Sequence, residues 1–197
     1  MYYTQIYKIP PRWGDLVEVD MELIRAINVF NKFSKQGRNI FLTKDLKMLF
    51  PDESPKTLQK SVDRLIAHDV LRRASKGVYI YTQGSLGPYP LERLAENIRR
   101  GHYNYISLES ALSQYGVISQ IPIDRLTIMS TGRSGEFVTP WGVIEVTHTA
   151  KKPLEILNTT VEGRGPLRIA TKETAIKDLM KVGRNTHLIQ REELNYV

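Results

Sequence analysis

The amino-acid sequence predicts an α+β fold in two units, residues 1–86 and 87–197. Three observations carry this. Between residues 20 and 68 apolar side chains recur at helical spacing, whereas from Leu126 they alternate with polar ones as strands require. Between these regimes lies Gln83-Gly84-Ser85-Leu86-Gly87-Pro88-Tyr89-Pro90, a run of backbone breakers. With 197 residues, 41% hydrophobic and 25% charged, the chain has enough apolar surface for two small cores.

The first helix is expected after Asp20 as N-cap, with Leu23, Ile24, Ile27, Phe30 and Phe33 as its apolar stripe and Gly37 as its stop. A short extended piece, Ile40-Phe41-Leu42, follows. Thr43 is placed to cap a brief second helix, Lys44 to Phe50, with Leu46, Leu49 and Phe50 on one side. The turn Pro51-Asp52-Glu53 leads to Ser54 as N-cap and Pro55 at the first helical position, where a missing N–H costs nothing. The third helix, running to about His68, has the stripe Leu58, Val62, Leu65 and Ile66. Two strands, Val70–Ala74 and Val78–Tyr81, are joined by Ser75-Lys76-Gly77, a hairpin turn.

Three helices and a basic hairpin predict a winged helix-turn-helix. The major groove of DNA admits one helix, and the outward positions of the third helix carry Lys56, Thr57, Gln59, Lys60 and Arg64. Gln59 and Thr57 are candidate base readers, Lys60 and Arg64 suit bases or phosphates, and Arg72, Arg73 and Lys76 of the hairpin suit phosphates. Lys44 of the second helix and Lys56 complete the expected DNA-binding set. Asp63 and Asp69 oppose it, since phosphates repel them. The net charge of +7 favours a polyanionic partner, and the excess is mainly N-terminal: 14 Lys/Arg against 9 Asp/Glu in residues 1–86, but 14 against 12 in residues 87–197.

In the second unit, Leu91, Leu94, Ala95 and Ile98 form one amphipathic helix. Ser107 is expected to cap another, containing Leu108, Ala111, Leu112 and Tyr115. Strands are predicted over Leu126–Thr131, Glu136–Thr139 and Val143–His148, with Gly132-Arg133-Ser134-Gly135 read as a turn between strands in preference to a loop presenting its N–H groups to a phosphate. An antiparallel meander is the simplest arrangement. A short strand, Leu167–Ala170, then precedes a helix capped by Thr171 and carrying Ala175, Ile176, Leu179 and Met180. The second unit is thus expected to be a small mixed α/β domain with an antiparallel sheet.

The run Tyr105-Ile106-Ser107-Leu108-Glu109-Ser110-Ala111-Leu112-Ser113-Gln114-Tyr115-Gly116, then Ile121-Pro122 and Phe137-Val138-Thr139-Pro140-Trp141-Gly142, resembles AbiEi-family antitoxins. Ala170-Thr171-Lys172-Glu173-Thr174-Ala175-Ile176-Lys177-Asp178-Leu179 resembles their later strand-to-helix segment, so the likeness covers most of residues 20–182. It implies a transcriptional autorepressor acting on its own promoter, with inverted repeats as the expected site. It further implies a gene beside that of a nucleotidyltransferase-like toxin, a setting in phage defence, and a C-terminal domain needed for antitoxicity.

Other function classes find less support. With no cysteine, disulfides, thiolate catalysis and cysteine-based zinc sites are excluded. His68, His102, His148 and His187 lack ligand spacing, so no metal or other cofactor is expected. Glu136, Glu145 and Glu155 do not form a nuclease pattern, and there is no G-x-S-x-G elbow or P-loop. A non-enzymatic protein is expected. The alternatives are a module that neutralises a partner toxin by direct protein contact and, behind it, a nucleic-acid-processing enzyme. Met1–Lys8 has no apolar h-region and no run suits a spanning helix, so a cytoplasmic location is expected.

Overall fold

The computed structural model describes residues 13–118 and 124–189, with side chains from Leu23 onward. Met1–Lys8 and Ile121-Pro122, used in the sequence reading, lie outside the described residues. The fold is α+β.

Helix α1 (Trp13–Ser34) is longer than the sequence predicts, and Asp20 lies within it rather than at its start. The buried stripe is centred on Ala26 and Phe30, which puts Ile24 on the outer side, 52% exposed, against expectation. Phe30 anchors an aromatic cluster, with its ring centroid 4.9 Å from Phe41, 5.6 Å from Tyr81 and 6.2 Å from Phe50. β1 (Ile40–Leu42) leads directly into α2 (Thr43–Leu49). Here the cap is not Thr43: Leu42 occupies the N-cap, and its N–H donates to the Asp45 carboxylate at 2.7 Å. α3 (Pro55–Ala67) begins as predicted, with the Ser54 Oγ accepting from the Thr57 N–H at 3.2 Å.

β2 (Leu71–Ser75) and β3 (Val78–Tyr81) form the hairpin, with a bulge between Arg73 and Ser75. Gly77 turns the chain at φ 73° beside Thr43, whose N–H donates to the Gly77 carbonyl at 3.0 Å. β1 adds antiparallel to β3, giving the order β1-β3-β2. This small sheet is covered on both faces. Phe41, Leu71, Tyr79 and Tyr81 join the core of α1, α2 and α3, while Ile40, Ala74, Val78 and Ile80 join the core of the following unit.

That unit starts with α4 (Pro90–Ile98), which packs against β1. β4 (Asn104–Ile106), which periodicity did not reveal in so short a run, precedes α5 (Leu108–Gln114). Ser107 makes no side-chain cap; its hydroxyl donates instead to Asp178 at 2.9 Å. β5 (Arg125–Ser130), β6 (Gly135–Thr139) and β7 (Gly142–His148) fall where expected, but not as a meander. β7 pairs antiparallel with β6 and parallel with β5, so 132–135 crosses to the sheet edge instead of closing a hairpin. The burial pattern explains the order. Ile144 and Val146 of β7 are fully enclosed and need a strand on either side, whereas β6 exposes Glu136 and Val138 as an edge strand does.

After α6 (Pro153–Asn158) and β8 (Thr160–Val161), neither expected, β9 (Arg168–Ala170) completes a six-stranded sheet of order β6-β7-β5-β4-β9-β8. β4 and β9 are parallel, so the sheet is mixed and not antiparallel. α7 (Lys172–Val182) is capped by Thr171 as predicted and ends at Gly183 with φ 74°. Met180 faces outward, 52% exposed, because Ala175, Ile176 and Leu179 already fill the contact with the core. Among the described residues no helix is long and apolar enough to cross a membrane.

Candidate nucleic-acid interface

The Ser54 cap fixes the start of α3, and the buried stripe Leu58, Val62 and Leu65 fixes its rotation. Residues 56, 60 and 63 therefore form the ridge opposite the core, and Lys56, Lys60 and Asp63 are exposed there. Gln59 and Thr57 flank the ridge on either side. The Gln59 Nε2 donates to the Asp63 Oδ1 at 2.9 Å, tying an amide to the one acid of the ridge. The Thr57 hydroxyl lies 2.8 Å from the Ser54 Oγ and so belongs to the cap. Arg64 follows Lys60 by one turn on the same side, nearer the ridge than Thr57, and is exposed. It lines a groove between α1 and α3 with Arg25, Glu53, Ser61 and His68, and its Nη2 donates to the Ser61 Oγ at 3.4 Å.

The hairpin separates its two arginines. Arg72 stands opposite Ile80 and Arg73 opposite Tyr79, and successive strand residues project to opposite faces. Tyr79 belongs to the core that α3 shares, so Arg73 emerges on the α3 side. Arg72 emerges on the other side and lines a cleft of about 200 Å³ with Leu86, Pro90 and Trp141. Lys76 is exposed at the turn.

Lys44 also leaves the α3 face. It lines a cleft of about 600 Å³ with Arg99, Arg100, His102, Arg133 and His148. The nine residues expected to meet DNA thus divide: Lys56, Lys60, Gln59, Thr57 and Arg64 on α3, with Arg73 and Lys76 on the adjoining side of the hairpin, form one surface. Arg72 and Lys44 each line a different recess.

Beside Lys44, Asp45 accepts from Leu42 N–H, from the Arg100 Nη1 at 2.9 Å and from the Arg38 Nη2 at 3.0 Å. Burial pushes its carboxyl up, but the Leu42 N–H and the guanidinium groups of Arg100 and Arg38 outweigh burial and hold the pKa below the ordinary carboxylate value. The Arg38 guanidinium also lies over the rings of Phe33 and Phe41, at 5.3 and 5.4 Å. The sequence reading missed this junction of α2 with the end of α4. Its only local signal is Asp at the third position of a helix, which marks a cap.

Two of the three acids considered for chemistry are paired with arginines. Glu136 and Glu145 stand opposite each other on β6 and β7, and the Arg125 Nη1 lies 2.9 Å from a carboxylate oxygen of each. Arg184 pairs with Glu145 and with Glu109, which also accepts from the Asn185 amide at 2.9 Å. Glu155 lies apart, on α6. Among the described residues no three His, Asp or Glu side chains are grouped to hold a metal ion.

No protein-family model matches the chain, and no curated protein matches it. Among solved structures it is similar to the crystal structure of the Rv2827c protein from Mycobacterium tuberculosis, at 13% identity and a TM-score of 0.49. The similarity covers 78% of this chain and 59% of that one, so the chain spans under two thirds of its neighbour's length.

Proposed function

We propose that the first unit, residues 1–86, carries a winged helix-turn-helix that binds double-stranded DNA, and that the chain is a non-enzymatic transcriptional repressor of its own promoter. The observation that carries this reading is the shared surface of α3 and the hairpin. A Ser54-capped helix with its apolar stripe inward presents Lys56 and Lys60 along its outer ridge, with Arg73 and Lys76 on the same side. A helix of 13 residues suits the major groove, and the hairpin cations suit the flanking phosphates. Gln59 and Thr57 are the candidate base readers. The Gln59–Asp63 bond is opened on binding, which frees the amide for a base edge.

The antitoxin role, the cytoplasmic location and the functional link to a nucleotidyltransferase-like toxin rest on the resemblance of residues 105–116, 137–142 and 170–179 to AbiEi-family antitoxins. The second unit, 87–197, is then the part that serves antitoxicity.

Footprinting on the DNA upstream of the chain's own coding sequence tests the reading. A protected site is expected at low salt, with log affinity falling linearly with log salt. Absence of protection would sink the autorepressor proposal. Protection with no salt dependence would sink the proposed phosphate contacts.

A further inference from the structure

The 600 Å³ cleft that takes in Lys44 is separate from the α3 surface, and among the described residues no acidic one lines it. Its walls come from distant parts of the chain: Lys44 from α2, Arg99, Arg100 and His102 from the end of α4, Arg133 from the loop after β5, and His148 from the end of β7. Arg100 is engaged by Asp45. Lys44 and Arg133 have no charged partner among the described residues.

The loop is held in an unusual way. The Arg99 Nε donates to the Arg133 carbonyl at 2.8 Å and its Nη2 to the Ser134 carbonyl at 3.5 Å, while its guanidinium lies 4.9 Å from the Phe137 ring centroid. The His148 Nδ1 lies 2.9 Å from the Gly132 carbonyl, which accepts only, so Nδ1 carries the proton. Three successive carbonyls, which would repel an anion, are thereby taken up. The N–H groups of Arg133 and Ser134 donate to no acceptor among the described residues. Gly132 allows this packing, since a Cβ there would come within 3.1 Å of the Arg99 Cδ and the His102 ring. Burial, and then the charge of Arg133, push Arg99 below its ordinary pKa, so positive charge is crowded here.

We propose that this cleft binds a small ligand bearing two or more phosphoryl groups, such as a nucleoside triphosphate or a linear oligophosphate. Lys44 and Arg133 make the charged contacts, and the Arg133 and Ser134 N–H groups supply further donors. Arg99 is a positioning residue that sets the loop. A small anion suits a recess of about 600 Å³, which falls within the roughly 300–1,000 Å³ of small-molecule sites. With Lys44 on α2 and Arg133 on the second unit's loop after β5, the ligand bridges the two units and stabilises the folded chain by mass action.

The inference does not rest on α3 meeting DNA, and the two are tested separately. Calorimetric titration of the full chain with sodium tripolyphosphate, with ATP and with adenosine, at near-physiological salt, is the experiment. Tripolyphosphate and ATP are expected to saturate at one ligand per chain and to raise the melting temperature; adenosine is expected to do neither. Arg133→Ala should weaken both ligands about tenfold or more, whereas Lys76→Ala, an equal loss of charge outside the cleft, should change affinity less than about twofold. Both side chains are exposed, so both variants should fold, and an unchanged melting temperature without ligand checks this. Absence of saturable binding by either phosphate ligand would overturn the proposal. So would equal weakening by the two substitutions, which would mean diffuse attraction. Duplex DNA binding that Arg133→Ala weakens, without any polyphosphate binding, would assign the cleft to a DNA backbone and overturn it too.

Discussion

The two units build their interiors from different material. Around α1, α2 and α3 the core is apolar and aromatic: Phe30, Phe41, Leu46, Leu58, Leu65 and Tyr79 meet one another, and of the described polar side chains of this unit Asn39 and Asp45 are the buried ones. The second unit buries a polar network within its apolar core. Asp178 accepts from the Tyr105 hydroxyl at 3.0 Å, the Ser107 hydroxyl at 2.9 Å and the Lys151 ammonium at 2.7 Å. Burial, and then the Asp178 charge, raise the Tyr105 pKa, so the phenol stays protonated and remains a donor. The contrast teaches where each unit's specificity comes from. Hydrophobic burial is non-directional and tolerates approximate packing, whereas a buried carboxylate needs each of its partners in place.

The comparison breaks most visibly at Asp178. Asp178→Ala leaves a lysine and two hydroxyls without their acceptor, and is expected to cost about 3–5 kcal/mol in urea-induced unfolding. A loss below about 1 kcal/mol would mean that the network is incidental and that the second unit, like the first, is held by its apolar core.

A smaller effect is expected at the junction of the units. Asp45 has a lowered folded pKa, so its contribution is complete above the ordinary carboxylate value of about 4 and is lost as pH falls through the lower folded value. Asp45→Asn should lose about 1–3 kcal/mol at neutral pH, since its two arginines are each about one third exposed. It should also flatten the decline in stability below about pH 4. An unchanged acid limb in equilibrium unfolding would place the origin of that decline elsewhere.

The same contrast explains what the sequence made legible. The cap of α3 by Ser54, the cap of α7 by Thr171 and the stripe Leu58, Val62 and Leu65 were readable because each is set within one or two helical turns. The parallel pairing of β5 with β7 was not, since register with a distant strand leaves no local mark, and β4 is too short for alternation to register. Among the candidate contact residues, spacing gave the outward face of α3. It did not separate Arg72 from Arg73, because the hairpin's pairing with β3 decides which core each faces. The meeting of Lys44, Arg99 and Arg133 in one cleft was invisible for the same reason: a glycine-bounded loop at 132–135 shows in the sequence, but its Arg133 is remote from Lys44 and Arg99 and meets them only through the packing of α2 and α4 beside it.

The smallest effect on stability, and the sharpest on the functional comparison, is expected on the α3 ridge. Lys56 and Lys60 are exposed and opposite the core, so replacing both with Ala should change stability by no more than about 0.5 kcal/mol. If both meet phosphates, the slope of log affinity against log salt should fall by about 2, because each neutralised phosphate contributes about 0.9. The hairpin supplies an internal control. Arg73→Ala should weaken duplex binding because the side chain shares the α3 side, whereas Arg72→Ala, facing Leu86 and Trp141 across the other cleft, should leave it nearly unchanged. Mobility-shift titrations over a salt series read both. Equal losses for the two arginines would mean that DNA wraps past the hairpin onto the second unit's side, and a larger loss for Arg72 would mean that α3 is not the helix that enters the groove.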